Sequence, residues 1–194
     1  MKDRNTEIYR VTLLGSVVNI ILVMIKFAAG IIGASAAMIA DAVHSLSDLI
    51  TDIIVIVFVR ISSKPADSDH HYGHGKYETL ATLLVGGALL AVGIMLLEGG
   101  VEKIISAING ETLPTPGIAA LLAALASILL KEAVYQVTAR VGRRVKSEAV
   151  IANAWHHRSD AISSIGAAMG IGGAMLLGQQ WAVLDPIAAI IVSF

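Results

Sequence analysis

Long apolar runs, each interrupted by very few charges, set the pattern of this chain. A helix that crosses a bilayer needs about 20 mostly apolar residues. Residues 11–32 form such a run, broken only by Lys26. Others cover 38–61, 79–97 and 118–137, the last with Lys131 and Glu132 near one end. Residues 149–177 form another and carry the polar cluster His156-His157-Arg158-Ser159-Asp160. A sixth run covers 183–194, which is too short to cross the hydrocarbon and reads as a truncated span. The pattern predicts an all-α membrane protein, with residues 1–194 forming a six-helix transmembrane bundle whose sixth helix is truncated.

Composition agrees. Apolar residues make up 56% of the chain and charged residues 15%, against about 25% charged in soluble domains. The mean hydropathy is +0.76. An ordinary soluble domain is disfavoured, and a disordered chain is excluded. With no cysteine there is no disulfide framework and no thiolate metal site. A net charge of −1 gives no case for a nucleic-acid partner. The first ten residues are polar, and the run after them is too long for a cleaved signal, so it reads as a first span.

Charge placement predicts topology. Lys2, Arg4 and Arg10 precede the first run. Arg60, Lys64 and Lys76 follow the second, and Arg140, Arg143, Arg144 and Lys146 follow the fourth. The turns near Gly33 and Gln179 have neither Lys nor Arg, and residues 98–117 have only Lys103. The N-terminus and the second and fourth connections are therefore expected on the cytoplasmic side.

The polar residues inside the runs carry the chemistry. Asp41, His44, Asp48 and Asp52 fall within a helical stripe of about 80°. Charged groups in a span are costly and face a bundle interior or a water-filled cavity. His156 and Asp160 are four apart and share a face; His157 and Arg158 point elsewhere. Residues 40–52 (ADAVHSLSDLITD) and 152–164 (ANAWHHRSDAISS) repeat at an offset of 112. The identities are Ala40/Ala152, Ala42/Ala154, His44/His156, Ser47/Ser159, Asp48/Asp160 and Ile50/Ile162. Two facing His-x-x-x-Asp helices offer two imidazoles and two carboxylates, a set suited to tetrahedral Zn²⁺. The alanines would let the helices approach closely. A purely structural polar network is the plain alternative.

Zn²⁺ requires neutral imidazole and ionised carboxylate, so loading expels protons and protonation expels metal. Two cargoes competing for one site give exchange, provided that the site opens to one side at a time. No nucleotide-binding loop is present. Asn153, one turn before the second pair, could line the cavity, as could Asp41 and Asp52. Residues 62–78 (SSKPADSDHHYGHGKYE) form a loop dense in Asp67, Asp69, His70, His71 and His74, which could hold a metal or simply be solvated. Asp185-Pro186 reads as the cap and first turn of the sixth helix. Gly166 and Gly170 have the spacing of a close helix contact.

The segments ADAVHSLSD (40–48), PADSDHHYGHGKYE (65–78), AWHHRSD (154–160) and LDPI (184–187) resemble the cation diffusion facilitator family, proton-coupled exporters of divalent metal. The resemblance implies six spans, cytoplasmic termini and a homodimer in the bilayer. It implies a transport site at His44, Asp48, His156 and Asp160, and a second, accessory site at Asp67, His70 and His74. His at the first position of both pairs looks like the zinc-preferring type. The missing His-rich loop between the fourth and fifth spans looks bacterial, which implies the cytoplasmic (inner) membrane. The family usually continues into a cytoplasmic C-terminal metal-binding domain, which this chain does not include.

Export of Zn²⁺ against protons, with no enzymatic step and no organic cofactor, is the leading expectation. The same scaffold moving mainly Fe²⁺, Co²⁺, Ni²⁺ or Cd²⁺ is the first alternative. A non-transporting metal sensor or an intramembrane zinc enzyme is the alternative from another class. The enzyme is disfavoured because four ligands would leave no open position for water.

Overall fold

The computed structural model describes residues 2–62, 65, 71 and 73–193. Six α-helices account for nearly all of them: α1 (Lys2–Ile32), α2 (Ala36–Ser62), α3 (Lys76–Ile108), α4 (Ile118–Val145), α5 (Glu148–Leu177) and α6 (Leu184–Val192). A single 3₁₀ turn, Gln179–Trp181, separates α5 from α6. The all-helical fold expected from the hydrophobic runs is the fold observed. Among the described residues, α1, α3, α4 and α5 are long and apolar enough to cross a membrane.

Helix ends differ from the ends of the apolar runs. α1 begins at Lys2 rather than near 11, and α3 continues past 97 to include Glu98, Glu102 and Lys103. α4 continues past 137 to Val145 and takes in Arg140, Arg143 and Arg144. Backbone hydrogen bonds extend a helix whatever the polarity of its side chains, whereas hydropathy marks only the apolar stretch. One consequence matters for the site. Lys131, expected near the end of a span, lies in the middle of α4.

The connections are tight. After α1, Gly33 N–H donates to Ala29 O (2.8 Å), Ser35 N–H donates to Gly30 O (3.0 Å), and Ala34 takes a positive φ of 48°. Gly117, just before α4, donates its N–H to Gly33 O at 2.8 Å. A Cβ on Gly117 would lie 3.1 Å from the Gly33 Cα, so both positions require a small residue. Between α4 and α5, Lys146 adopts φ 52°, and Ser147 caps α5 by accepting from Val150 N–H.

Four helices close a ring: α1 packs on α2 and α4, and α5 packs on α4 and α2. α6 fits against α5, α2 and α3, and α3 packs on α2 and α6. The apolar core is built largely from Ala29, Ala37, Ala40, Ala120, Ala123, Ala124, Ala167, Ala188 and Ala189, with Met38 and Ile171. Large apolar residues such as Leu13, Ile20, Met24, Leu83, Leu90, Leu129 and Met169 face outward. Small residues inside and large ones outside suit a bundle in lipid, where close backbone approach drives helix association. At Gly170 an added Cβ would fall 2.2 Å from the Ala188 Cβ, so α5 and α6 meet there; Gly166 makes no comparable contact.

Asp185 caps a helix, but not the expected one. The residue before α6, Val183, makes no side-chain cap. The buried Asp185 carboxylate instead accepts from Ser35 Oγ–H (2.5 Å), Ala36 N–H (2.5 Å) and Ala37 N–H (3.3 Å) at the start of α2. Ser35 Oγ in turn accepts from Met38 N–H at 3.1 Å. α6 thereby holds the helix that carries the acidic stripe. Replacing Asp185 by Ala strands these buried donors, and the expected loss is about 1–3 kcal/mol. Thermal unfolding in detergent should show a lower midpoint for Asp185→Ala and an intermediate one for Asp185→Asn. Equal midpoints would contradict the cap.

Candidate metal site

α2 and α5 run antiparallel, and each turns one polar face toward the ring interior. Ala40, Ala42 and Ala154 are buried and let the two faces approach; Ala152 is exposed and plays no such part. One ligand atom each from His44, Asp48 and Asp160 lies within 4.8 Å of the others. His44 Nε2 is 3.8 Å from Asp48 Oδ2, and His156 Nδ1 is 3.8 Å from Asp160 Oδ1. His156 stays outside the three-residue cluster, with its side chain 42% exposed against 5% for Asp160. Three of the four expected ligands are therefore together, and the fourth lies beside one of them.

Asp48 Oδ2 is buried with no hydrogen-bond partner. A buried carboxylate oxygen is normally satisfied, and a cation would satisfy this one. One imidazole and two carboxylates form a nitrogen–oxygen set that suits a borderline divalent ion.

The ring also holds two lysines. Lys131 Nζ lies 2.5 Å from Asp160 Oδ2, both side chains being almost fully buried. Lys26 Nζ lies 2.8 Å from Asp41 Oδ2 and donates to Ser45 Oγ and Ser164 Oγ at 3.1 Å each. All three ammonium protons of Lys26 are thus used. Ser164 gives its single proton to Asp41 Oδ2 (2.9 Å), so Ser127, 3.2 Å away, must donate to Ser164. Asp41 therefore belongs to a closed hydrogen-bonded network rather than to the metal cluster. Both lysines stood in apolar runs in the sequence. The default functional reading of an intramembrane charge singles them out, but their partners lie on other helices.

The other candidates fall into place. Asn153 is half-buried on α5, while the side chain of Asp52 lies outside the described residues. His157 is buried, has no hydrogen-bond partner for Nε2, and packs where a Cβ on Gly15 would lie 2.8 Å from that atom. Arg158 meets Glu132 at 3.7 Å, donates to Tyr135 Oη at 3.2 Å and stacks over the Tyr135 ring. In the loop, Asp67, Asp69 and His70 lie outside the described residues; His74 is buried, with Nδ1 3.2 Å from Pro65 O.

Breaking one member of a buried ion pair leaves an uncompensated charge and costs about 3–5 kcal/mol, whereas removing both members costs far less. Lys26→Met alone should therefore lower the unfolding midpoint more than Lys26→Met combined with Asp41→Leu. A double variant as unstable as the single would show that the pair is not the source of the stability.

Comparison with known proteins shows the family of the chain. The chain is 38% identical to metal tolerance protein C1 of Arabidopsis thaliana over 98% of its own length and 42% of the relative. It is 39% identical to an uncharacterized transporter of Methanocaldococcus jannaschii, over 96% of this chain and 64% of that one. It is 35% identical to the manganese efflux system protein MneP of Bacillus subtilis, over 95% and 62%. The chain thus spans less than two thirds of the length of each of these relatives. Residues 12–194 match the cation efflux transmembrane domain. The resemblance read from the motifs holds at the level of the family, which is one of metal transporters rather than of enzymes. This chain belongs to the cation efflux family and supplies its helical membrane domain.

Proposed function

We propose that the chain is the membrane part of a divalent-metal/proton antiporter that exports Zn²⁺ from the cytoplasm. The observation that carries this reading is the convergence of His44, Asp48 and Asp160 inside a closed ring of helices. His156 lies 3.8 Å from Asp160 and is placed to complete a four-ligand set once an ion draws the group together. These ligands exchange metal for protons, because imidazole and carboxylate must be deprotonated to bind.

Alternating access draws support from the internal repeat. The 112-residue offset pairs α2 with α5, which run in opposite directions, as the matching helices of an inverted repeat would. Rocking of such halves is a common transport geometry. The N-terminus is cytoplasmic in this account, the membrane is a bacterial cytoplasmic membrane, and the working unit is a homodimer. Asp67, His70 and His74 are the candidate ligands of an accessory loop site in this account.

The metal preference rests on ligand chemistry. Imidazole favours Zn²⁺, Co²⁺, Ni²⁺ and Fe²⁺, while an all-oxygen set favours Mn²⁺. A relative named for manganese efflux makes Mn²⁺ the informative competitor. The test is Zn²⁺ flux into liposomes holding the purified protein under an imposed pH gradient. Wild type should show gradient-dependent flux, and Asp48→Asn should fall to the level of protein-free vesicles. Flux that survives Asp48→Asn would overturn the site. Flux indifferent to the gradient would overturn antiport, and stronger transport of Mn²⁺ than of Zn²⁺ would overturn the metal preference.

A further inference from the structure

We infer that Lys131 is a tethered cation that competes with the transported metal for Asp160 and so sets the affinity of the site. The inference rests on the reading that His44, Asp48 and Asp160 hold the metal. The ring interior presents three described carboxylates, Asp41, Asp48 and Asp160, and two ammonium groups, Lys26 and Lys131. Lys26 is committed to Asp41 by a complete set of hydrogen bonds that leaves it no proton to offer elsewhere. Lys131 is different. Its one contact of this kind among the described residues is the Asp160 carboxylate, and that carboxylate is also a member of the metal cluster.

A metal ion that coordinates Asp160 through Oδ2 must take the place of the Lys131 ammonium. If it binds through Oδ1, the ammonium remains beside a second cation. In both cases the like charge weakens metal binding, and burial makes the effect larger than it would be in water. No proton has to leave Lys131 for this. Its flexible four-carbon stem allows the charged head to withdraw and return.

The arrangement suits a carrier, which must release its cargo. Asp48 keeps an oxygen without a hydrogen bond, ready for the ion, while Asp160 has a resident cation waiting to reclaim it. The returning ammonium helps to expel the metal. It also neutralises Asp160 while the empty carrier resets, a buried charge that would otherwise need an external cation. The two lysines thus play unequal parts, because Lys26 holds the ring together and Lys131 takes part in the exchange of cations.

The test is Zn²⁺ binding by calorimetry on the purified protein, compared with Lys131→Met, Lys131→Arg and Asp160→Asn. Competition predicts that Lys131→Met binds Zn²⁺ roughly tenfold or more tightly than wild type. Lys131→Arg, which keeps the charge, should bind as weakly as wild type or more weakly. In liposomes, Lys131→Met should show a lower half-saturating Zn²⁺ concentration and a lower maximal rate. A role confined to holding helices predicts the opposite sign: weaker binding in Lys131→Met and rescue by Lys131→Arg. Should Lys131→Met not fold, Lys131→Gln removes the charge but keeps a donor to Asp160, with the same tightening expected. Unchanged or weaker binding in the folded neutral variant, while Asp160→Asn loses binding, would overturn the inference and leave the site standing. Equal binding by wild type and Asp160→Asn would remove the site itself, and the role of Lys131 with it.

Discussion

A charge inside an apolar bundle must be matched, and that requirement organises this molecule. The medium around the helices offers no water to solvate an isolated carboxylate or ammonium. Each of the four ring helices therefore brings a charge to the interior that a neighbour answers: Lys26 on α1 meets Asp41 on α2, and Lys131 on α4 meets Asp160 on α5. Asp48 alone among these carboxylates keeps a buried oxygen without a hydrogen-bond partner. Among the described side chains the ring interior holds one carboxylate more than it holds ammonium groups, at the place where two carboxylates and an imidazole converge. The proposed site rests on this imbalance as much as on the motif.

The rest of the fold fixes that ring. Alanine and glycine bring the helix backbones close enough for short side chains such as Ser45, Ser127 and Ser164 to reach across. Asp185 ties α6 to the first turn of α2, which sets the depth of Asp41, His44 and Asp48 along the bundle. Gly170 lets α6 lie against α5. Elements remote from the metal cluster therefore determine its geometry through backbone position.

The helices and the acidic stripe were legible in the sequence for physical reasons. Apolar runs of spanning length have few other uses, and a His-x-x-x-Asp repeat inside such runs is too costly to be incidental. Pairings across the bundle were not legible. Nothing in the sequence near Lys26 names Asp41, 15 positions on, rather than Asp48. Hydropathy falls off at residue 137 and puts Lys131 near the edge of a span, although the helix runs to Val145. Asp185 has the local signature of a cap, but which helix it caps is settled by packing. The equivalence of His44 and His156 in the repeat also concealed a difference: His156 lies outside the cluster that His44 joins.

The central claim is that the charge deficit in the ring is filled by a metal held by imidazole and carboxylate together. X-ray absorption at the zinc edge of the Zn²⁺-loaded protein tests it most directly. The expected spectrum shows a low-coordinate shell of nitrogen and oxygen at about 2.0–2.1 Å with imidazole outer-shell scattering that weakens in His44→Ala. A shell of oxygen alone, unchanged by His44→Ala, would contradict the account.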